Sequence, residues 1–310
     1  MQINILSSDR YDYLKQRILS HHSCFQNIDV QHLTFPDNEH YWRIENPTDI
    51  LGKPAVYICG TTDDSAIFDA YNMCCTLVRE GCSELHLVIP YFGYSTMERA
   101  VKDGEAVTAK NIARLFSSIP TSARGNHIYM LDLHSVGTQY YFETNIHPIH
   151  LSSWQVIKNI IMNLGKNTVL AAPDMGRAKW VQKMGIELCM NTAYIMKKRI
   201  SGSQTEVLAL NADVKGKNVV IFDDMIRSGS SIIKAAEGYK NIGAEKISVV
   251  CVHGVFVPNA IAQLKSCGLI DKIYCTNSHS RTTQIQDNFI QIYDISQVIS
   301  DALVKTILRI

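Results

Sequence analysis

Three absences narrow what this 310-residue chain can be. It has no net charge to speak of: 30 Lys+Arg against 29 Asp+Glu leave +1 at neutral pH. No long-range field therefore draws in nucleic acid or an anionic membrane surface. It has no apolar run near the ~20 residues that cross a bilayer, and it reaches Asp9 and Arg10 without a signal-type apolar core. It also has no CxxC pair. Its nine cysteines are scattered, several in strand-like runs (Cys59, Cys251, Cys275), with Cys74 and Cys75 adjacent on a predicted helix. That argues against thiolate metal ligation or a disulfide framework and for a reducing compartment. A composition 46% hydrophobic and 19% charged is that of a globular protein. A soluble, cytoplasmic protein is the expectation.

What is present is an alternation of strand and helix patterns. Strands are predicted at Gln2–Leu6, Ala55–Gly60, Leu85–Pro90, His127–Leu133, Val169–Ala172, Glu187–Met196, Val219–Phe222, Ile247–Val252 and Lys272–Thr276. Helices fall between them, at Asp9–Leu19, Asp64–Glu80, Thr108–Ser118, Ser153–Leu164, Arg177–Met184 and Pro258–Cys267, and one closes the chain at Ile295–Leu308. Val30–Phe35 and Tyr41–Ile44 form a predicted hairpin. The alternation implies α/β architecture with mainly parallel, doubly wound sheets. Each half holds about four such units, without obvious sequence identity between them. The join is expected near His147–Ser153, giving lobes of 1–148 and 149–310. No low-complexity linker separates them, so a closely packed pair with a site between the lobes is expected.

The chain is organised around KNVVIFDDMIRSGSSIIKAAEGY, Lys217–Tyr239. An apolar strand, Val219–Phe222, ends at two adjacent carboxylates, Asp223 and Asp224. A small-residue turn, Ser228-Gly229-Ser230-Ser231, then opens a helix. Parallel strands deliver their last side chains to the sheet edge where open α/β folds bind ligands. Backbone N–H groups and hydroxyls at a helix start favour a phosphate. Paired carboxylates suit sugar hydroxyls or a divalent cation beside it.

Other segments are less specific as residues alone. FPDNE (Phe35–Glu39) places an aromatic ring, Asp37 and Glu39 at a hairpin turn that could stack on a base, though Pro-Asp-Asn is also ordinary turn chemistry. Gly93–Glu105 is a polar loop or a mobile flag. His134, in LDLHS, leaves the sheet as a divalent-cation ligand, an acid–base group or a histidine satisfied by backbone, with Asp132 on the same strand face. Asp174, in APDMGRAK, is either a cation ligand beside Arg177 and Lys179 or a helix N-cap. Lys197-Lys198-Arg199 begin a basic loop or a solvated hairpin; beside a polyphosphate they would neutralise charge growing in a transition state.

In this order, FPDNE, PYFGY…ER…TAK, DLH, PD, the Lys197/Arg199 segment, FDDMIRSGSS and HGVF resemble the ribose-phosphate pyrophosphokinase (phosphoribosyl-diphosphate synthetase) family over nearly the whole chain. The resemblance implies two tandem lobes of type I phosphoribosyltransferase-like fold. It also implies transfer of a diphosphoryl group from ATP to the C1 hydroxyl of ribose 5-phosphate, with Mg²⁺, in a homo-oligomer. Carried over by position, Asp223 and Asp224 hold ribose hydroxyls and Mg²⁺, and Ser228, Gly229, Ser230 and Ser231 wrap the 5-phosphate. His134 and Asp174 bind the nucleotide's Mg²⁺, and Lys197 and Arg199 stabilise the migrating group. Phe35, Asp37, Glu39 and the segment Thr96, Met97, Glu98, Arg99 meet the nucleotide. Thr96-Met97-Glu98 and Arg227 depart from the most familiar class and look like the plant-type second class, which accepts several nucleoside triphosphates and lacks phosphate activation; Glu39 follows the familiar class. The rival readings are a type I phosphoribosyltransferase and a catalytically silent regulatory homologue.

Overall fold

Strands that are apolar on both faces need cover on both faces, and helices returning between parallel strands supply it. The computed structural model describes all residues except 144, 166, 202, 203, 211–213 and 310, and the side chains of 196–213 also fall outside the description. In chain order the elements are β1 (Ile3–Ser7), α1 (Asp12–Leu19), β2 (Phe25–Asn27), β3 (Val30–Thr34), β4 (His40–Ile44), β5 (Ala55–Ile58), α2 (Asp64–Arg79), β6 (Leu85–Ile89), α3 (Thr108–Ser117), β7 (Asn126–Leu131) and β8 (Ile146–Leu151). There follow α4 (Trp154–Met162), β9 (Thr168–Ala172), α5 (Met175–Leu188), β10 (Thr192–Ser201), β11 (Gln204–Leu210), β12 (Asn218–Ile226), α6 (Ser230–Asn241), β13 (Lys246–Gly254), α7 (Ala260–Ser266), β14 (Lys272–Thr276), β15 (Ile290–Tyr293) and α8 (Ser296–Leu308).

The chain divides into two units, Met1–Ser152 with Ile295–Ile310, and Ser153–Asp294. The first holds a parallel sheet in the order β2-β1-β5-β6-β7-β8, with β3 and β4 as a separate antiparallel pair. Its core joins Tyr57, Leu87 and Met130 on the strands to Met73 and Leu77 of α2 and Phe116 of α3. The second holds the order β11-β10-β9-β12-β13-β14-β15, parallel except for β11. Val219, Ile221, Val249 and Ile273 pack there against Ile232 and Tyr239 of α6. The Tyr239 hydroxyl donates to the Ala172 carbonyl at 2.8 Å, tying α6 to the end of β9.

Two features differ from the sequence expectation of lobes at 1–148 and 149–310. β8 completes the first sheet, so the junction falls after Ser152, within the expected His147–Ser153 span but beyond the 148/149 boundary. The last helix joins the first unit: Leu303 and Ile307 are buried, His21 Nε2 lies 2.8 Å from Ser296 Oγ, and Arg309 pairs with Glu84 at 3.5 Å. The nine cysteines are free thiols. Among the described residues, no helix is long and apolar enough to cross a membrane.

Candidate functional site

The second unit concentrates polar groups at the carboxyl edge of its sheet. The strand bearing the acid pair does not stop at Phe222: β12 runs to Ile226, with Asp223 opposite Cys251 and Met225 opposite His253. The two carboxylates therefore lie inside the ladder, held by main-chain pairing on the β13 side. Arg177, on the first turn of α5, reaches both, Nε at 3.3 Å from Asp223 Oδ1 and Nη2 at 2.5 Å from Asp224 Oδ1. The Asp224 N–H donates to Asp223 Oδ1 at 2.9 Å. Burial, then the adjacent Asp224 charge and its hydrogen bond, push the Asp223 carboxyl up to about 8; Arg177 and the Asp224 N–H act the other way. Asp223 therefore keeps its proton well above the ordinary carboxylate range.

Beyond β12, Gly229 takes φ 80°, and a Cβ there would stand 2.7 Å from the Leu264 side chain. Only glycine makes this turn without strain. It is the N-cap of α6, and no side chain caps that helix; the nearest substitute is a long 3.4 Å contact from the Ser230 N–H to Ser228 Oγ. Ser228, Ser230 and Ser231 are exposed around this open helix start. The Arg227 side chain is exposed too, and its carbonyl accepts from the Val257 N–H at 3.1 Å.

Asp174 is the exposed N-cap of α5, accepting from the Arg177 N–H at 3.3 Å. Lys197 and Arg199 lie within β10, opposite Val207 and Thr205 of β11, so of the two readings, loop or hairpin, the backbone is that of a hairpin arm. Their side chains lie outside the described residues. Because Tyr194 pairs with Ala172 and Ile221 with Ala171, both cations occur past the same strand ends as Asp174 and the acid pair. The helix expected to end at Met184 continues to Leu188, and the following strand begins only at Thr192; Cys189, at φ 53°, makes the turn between them.

In the first unit, Phe35, Asp37 and Glu39 form the exposed tip between β3 and β4. The tip is closed by Phe35 N–H to Glu39 O at 2.8 Å and by Glu39 N–H to Asp37 Oδ1 at 3.2 Å. Thr96, Met97, Glu98 and Arg99 sit in the loop before α3. Met97 N–H donates to Tyr94 O, the Tyr141 hydroxyl donates to Glu98 O at 2.7 Å, and the Arg99 side chain is exposed. His134 is half-buried past the end of β7. That strand ends at Leu131, and Asp132 turns left-handed at φ 38°, so strand alternation does not carry from Asp132 to His134 as expected.

Arg177, noted in the sequence only as a cation beside Asp174 and Lys179, is bonded to the acid pair, a contact that the sequence reading did not anticipate. Nothing in the linear order says that β9 and β12 are neighbours, and that adjacency is what brings Arg177 within reach.

Known proteins resemble this chain in sequence and in fold. The model of the N-terminal domain of ribose phosphate pyrophosphokinase matches residues 3–119, and that of the phosphoribosyl synthetase-associated domain matches 181–309. A ribose-phosphate pyrophosphokinase of Pyrococcus furiosus is 31% identical over 254 residues, covering 81% of this chain and 86% of that protein. Its counterpart in Saccharolobus solfataricus is 29% identical over 284 residues, covering 89% and 92%. The crystal structure of phosphoribosylpyrophosphate synthetase from Mycobacterium smegmatis superposes with a TM-score of 0.87 over 100% of both chains at 18% identity, a likeness of fold. An α/β chain with two parallel sheets, a buried acid pair and an open helix start, related to these proteins along most of its length, belongs to the ribose-phosphate pyrophosphokinase family of enzymes.

Proposed function

We propose that this chain transfers the β,γ-diphosphoryl group of ATP to the C1 hydroxyl of ribose 5-phosphate, giving 5-phosphoribosyl 1-diphosphate and AMP. The observation that carries the reading is the uncapped start of α6 directly after a buried carboxylate pair. The N–H groups at this helix start and the Ser228, Ser230 and Ser231 hydroxyls suit the 5-phosphate, with Gly229 allowing close backbone approach. Asp223 and Asp224 accept hydrogen bonds from the ribose hydroxyls.

The C1 oxygen attacks the β-phosphorus. The bond from that phosphorus to the α–β bridging oxygen breaks, AMP leaves with that oxygen, and the hydroxyl proton passes to solvent. Lys197 and Arg199 neutralise negative charge that grows on the migrating group. Phe35 stacks on the adenine, Asp37 and Glu39 accept from its amino group, and the Thr96–Arg99 segment lies along the nucleotide. Holding both substrates in line supplies up to ~7–11 kcal/mol of the barrier reduction. No covalent intermediate is needed.

The donor set suits a hard divalent cation. In the second unit Asp174, Asp223 and Asp224 offer carboxylate oxygens of the kind Mg²⁺ takes; in the first unit His134 offers a nitrogen more usual for softer metals. Mg²⁺ bound by these residues would supply charge neutralisation on the triphosphate. The departures at Thr96-Met97-Glu98 and Arg227 extend the donor range to nucleoside triphosphates other than ATP, and the chain works as a homo-oligomer in the cytoplasm.

The test is to mix the purified chain with ATP, ribose 5-phosphate and Mg²⁺ and follow the nucleotide product. AMP formed only when the sugar phosphate is present supports the reading. ADP as product, or no sugar-dependent AMP, refutes it. A panel of triphosphates, with and without inorganic phosphate, tests donor range and regulation.

A further inference from the structure

A second constellation lies in the first unit, at the base of the hairpin whose tip is Phe35–Glu39. His32 on β3, His40 at the start of β4 and Asp69 on α2 each present a donor atom, all within 4.8 Å of one another. The hairpin register explains the meeting. Thr34 faces His40 and His32 faces Trp42, so His32 and His40 are diagonal neighbours on one face of the pair. Asp69 is buried on α2.

The surroundings are those of a ligand set already oriented. The Asp9 carboxylate lies 2.7 Å from His32 Nδ1, and Trp42 Nε1 donates to Asp69 Oδ1 at 3.0 Å. The Trp42 ring stacks on His32, centroids 3.8 Å apart and 8° from parallel. His40 Nδ1 sits 2.8 Å from Asp69 Oδ2 and 3.2 Å from Ser65 Oγ. Two buried polar atoms, His32 Nε2 and the Tyr57 hydroxyl, find no hydrogen-bond partner among the described residues. Both residues line a cavity of about 90 Å³ shared with His40, Ser65 and Asp69.

A carboxylate on Nδ1 places the ring proton there and leaves Nε2 as a lone pair, the tautomer of a metal-bound histidine. A buried acceptor without a partner is unfavourable until something fills that position. Two imidazoles and one carboxylate make the nitrogen/oxygen set of a zinc-class ion, with water in the fourth place, and not the oxygen set of Mg²⁺. Tyr57 is positioned in the same cavity to bond that water. With ~2.0–2.1 Å bonds, donors around a tetrahedral ion stand about 3.3 Å apart, so His40 and Asp69 open by roughly half an ångström and the widest pair closes.

We propose that His32, His40 and Asp69 bind one zinc-class divalent ion that ties the β3–β4 hairpin to α2. Asp9 and Trp42 orient the ligands. The ion replaces the proton between His40 Nδ1 and Asp69, which goes to solvent. The proposal does not depend on the reaction assigned above.

The chelator-treated full chain is titrated with Zn²⁺ in excess Mg²⁺ by calorimetry, with Co²⁺ as a spectroscopic probe and circular dichroism to confirm folding. One Zn²⁺ per chain is expected, and the Co²⁺ spectrum should show nitrogen/oxygen ligation without a thiolate charge-transfer band. His32→Gln and Asp69→Asn should abolish tight binding, and Asp9→Asn should weaken it ~10–100-fold. Should Asp69→Asn misfold, the less buried His32→Gln and the exposed Asp9→Asn carry the test. No Zn²⁺ binding, binding unchanged in His32→Gln, or a thiolate band pointing to the cysteines would each overturn the proposal.

Discussion

The two units share a strand plan and differ in what they load onto it. With β11 set aside, the second sheet runs β10-β9-β12-β13-β14-β15, the order of β2-β1-β5-β6-β7-β8 in the first. In each, an antiparallel insertion follows the second strand, β3–β4 in one and β11 in the other. The contrast lies in the next strand and helix. β12 carries Asp223 and Asp224 and opens α6 through Gly229 with no side-chain cap. β5 carries no acid, and α2 is capped by Asp63, whose carboxylate accepts from the Ala66 N–H at 2.9 Å and pairs with Arg10. Partial burial pushes the Asp63 carboxyl up, but the Arg10 and Ala66 bonds outweigh it and hold it below the ordinary range. One helix start is filled by its own anion; the other has no side-chain cap and, on the proposed reading, takes the ligand's phosphate. Duplicated topology thus does not duplicate a site; the placement of charge decides which copy can bind phosphate.

The comparison can be broken in several ways, and the largest effect is catalytic. Lys197→Ala should cut AMP release by ~10²–10³ while circular dichroism is unchanged. Near-normal turnover would remove the cationic strand from the mechanism. Next comes the cost of removing an arginine from each unit. Arg177 and its two carboxylates are each less than one-fifth exposed, so Arg177→Ala should lose ~3–5 kcal/mol in urea unfolding. The Arg10–Asp63 pair is about half exposed, and Arg10→Ala should lose no more than ~1 kcal/mol. Equal losses would mean that burial does not distinguish the pairs.

Smaller effects test the turns and the titrations. Gly229→Ala forces a Cβ into a left-handed position against Leu264 and should cost ~1–3 kcal/mol, with weaker ribose 5-phosphate binding. Asp63→Ala removes a helix cap and should cost ~0.5–2 kcal/mol with that binding unchanged. The pH profiles should have opposite signs. Asp223 keeps its proton in the fold between its ordinary 3.8 and about 8, so its contribution to stability falls as pH rises through that window. Burial, then His86 beside it, lower His127 from 6.5 to about 4, so its contribution is lost as pH falls through that range. Melting temperatures against pH should show the high-pH decline flattened in Asp223→Asn and the acid decline flattened in His127→Gln.

Apart from the exposed β3–β4 hairpin, marked by its turn residues, the strands legible in the sequence were mostly those buried on both faces. β1, β5, β6, β9 and β13 read as apolar runs because helices cover both sides of them. The strands that escaped notice, β2, β8 and β15, are sheet edges. Each is short or half-exposed, and β8 carries Pro148, tolerated because one side of an edge strand needs no N–H. The end of β12 was misread for a related reason: the apolar pattern stops at Asp223, but the ladder continues because Arg177 and a retained proton make buried carboxylates tolerable. Gly229 and its serines were visible from composition, since only such residues make that turn. The His32–His40–Asp69 cluster was not. Its members are scattered in sequence, and only a hairpin register joined to the position of α2 brings them together.

The most direct measurement is a crystal structure of the chain with ribose 5-phosphate bound. The account predicts the phosphate against the Ser228–Ser231 N–H groups at the start of α6, with the ribose hydroxyls on Asp223 and Asp224. A sugar phosphate bound away from that turn, or seated at the Asp63-capped start of α2, would contradict it.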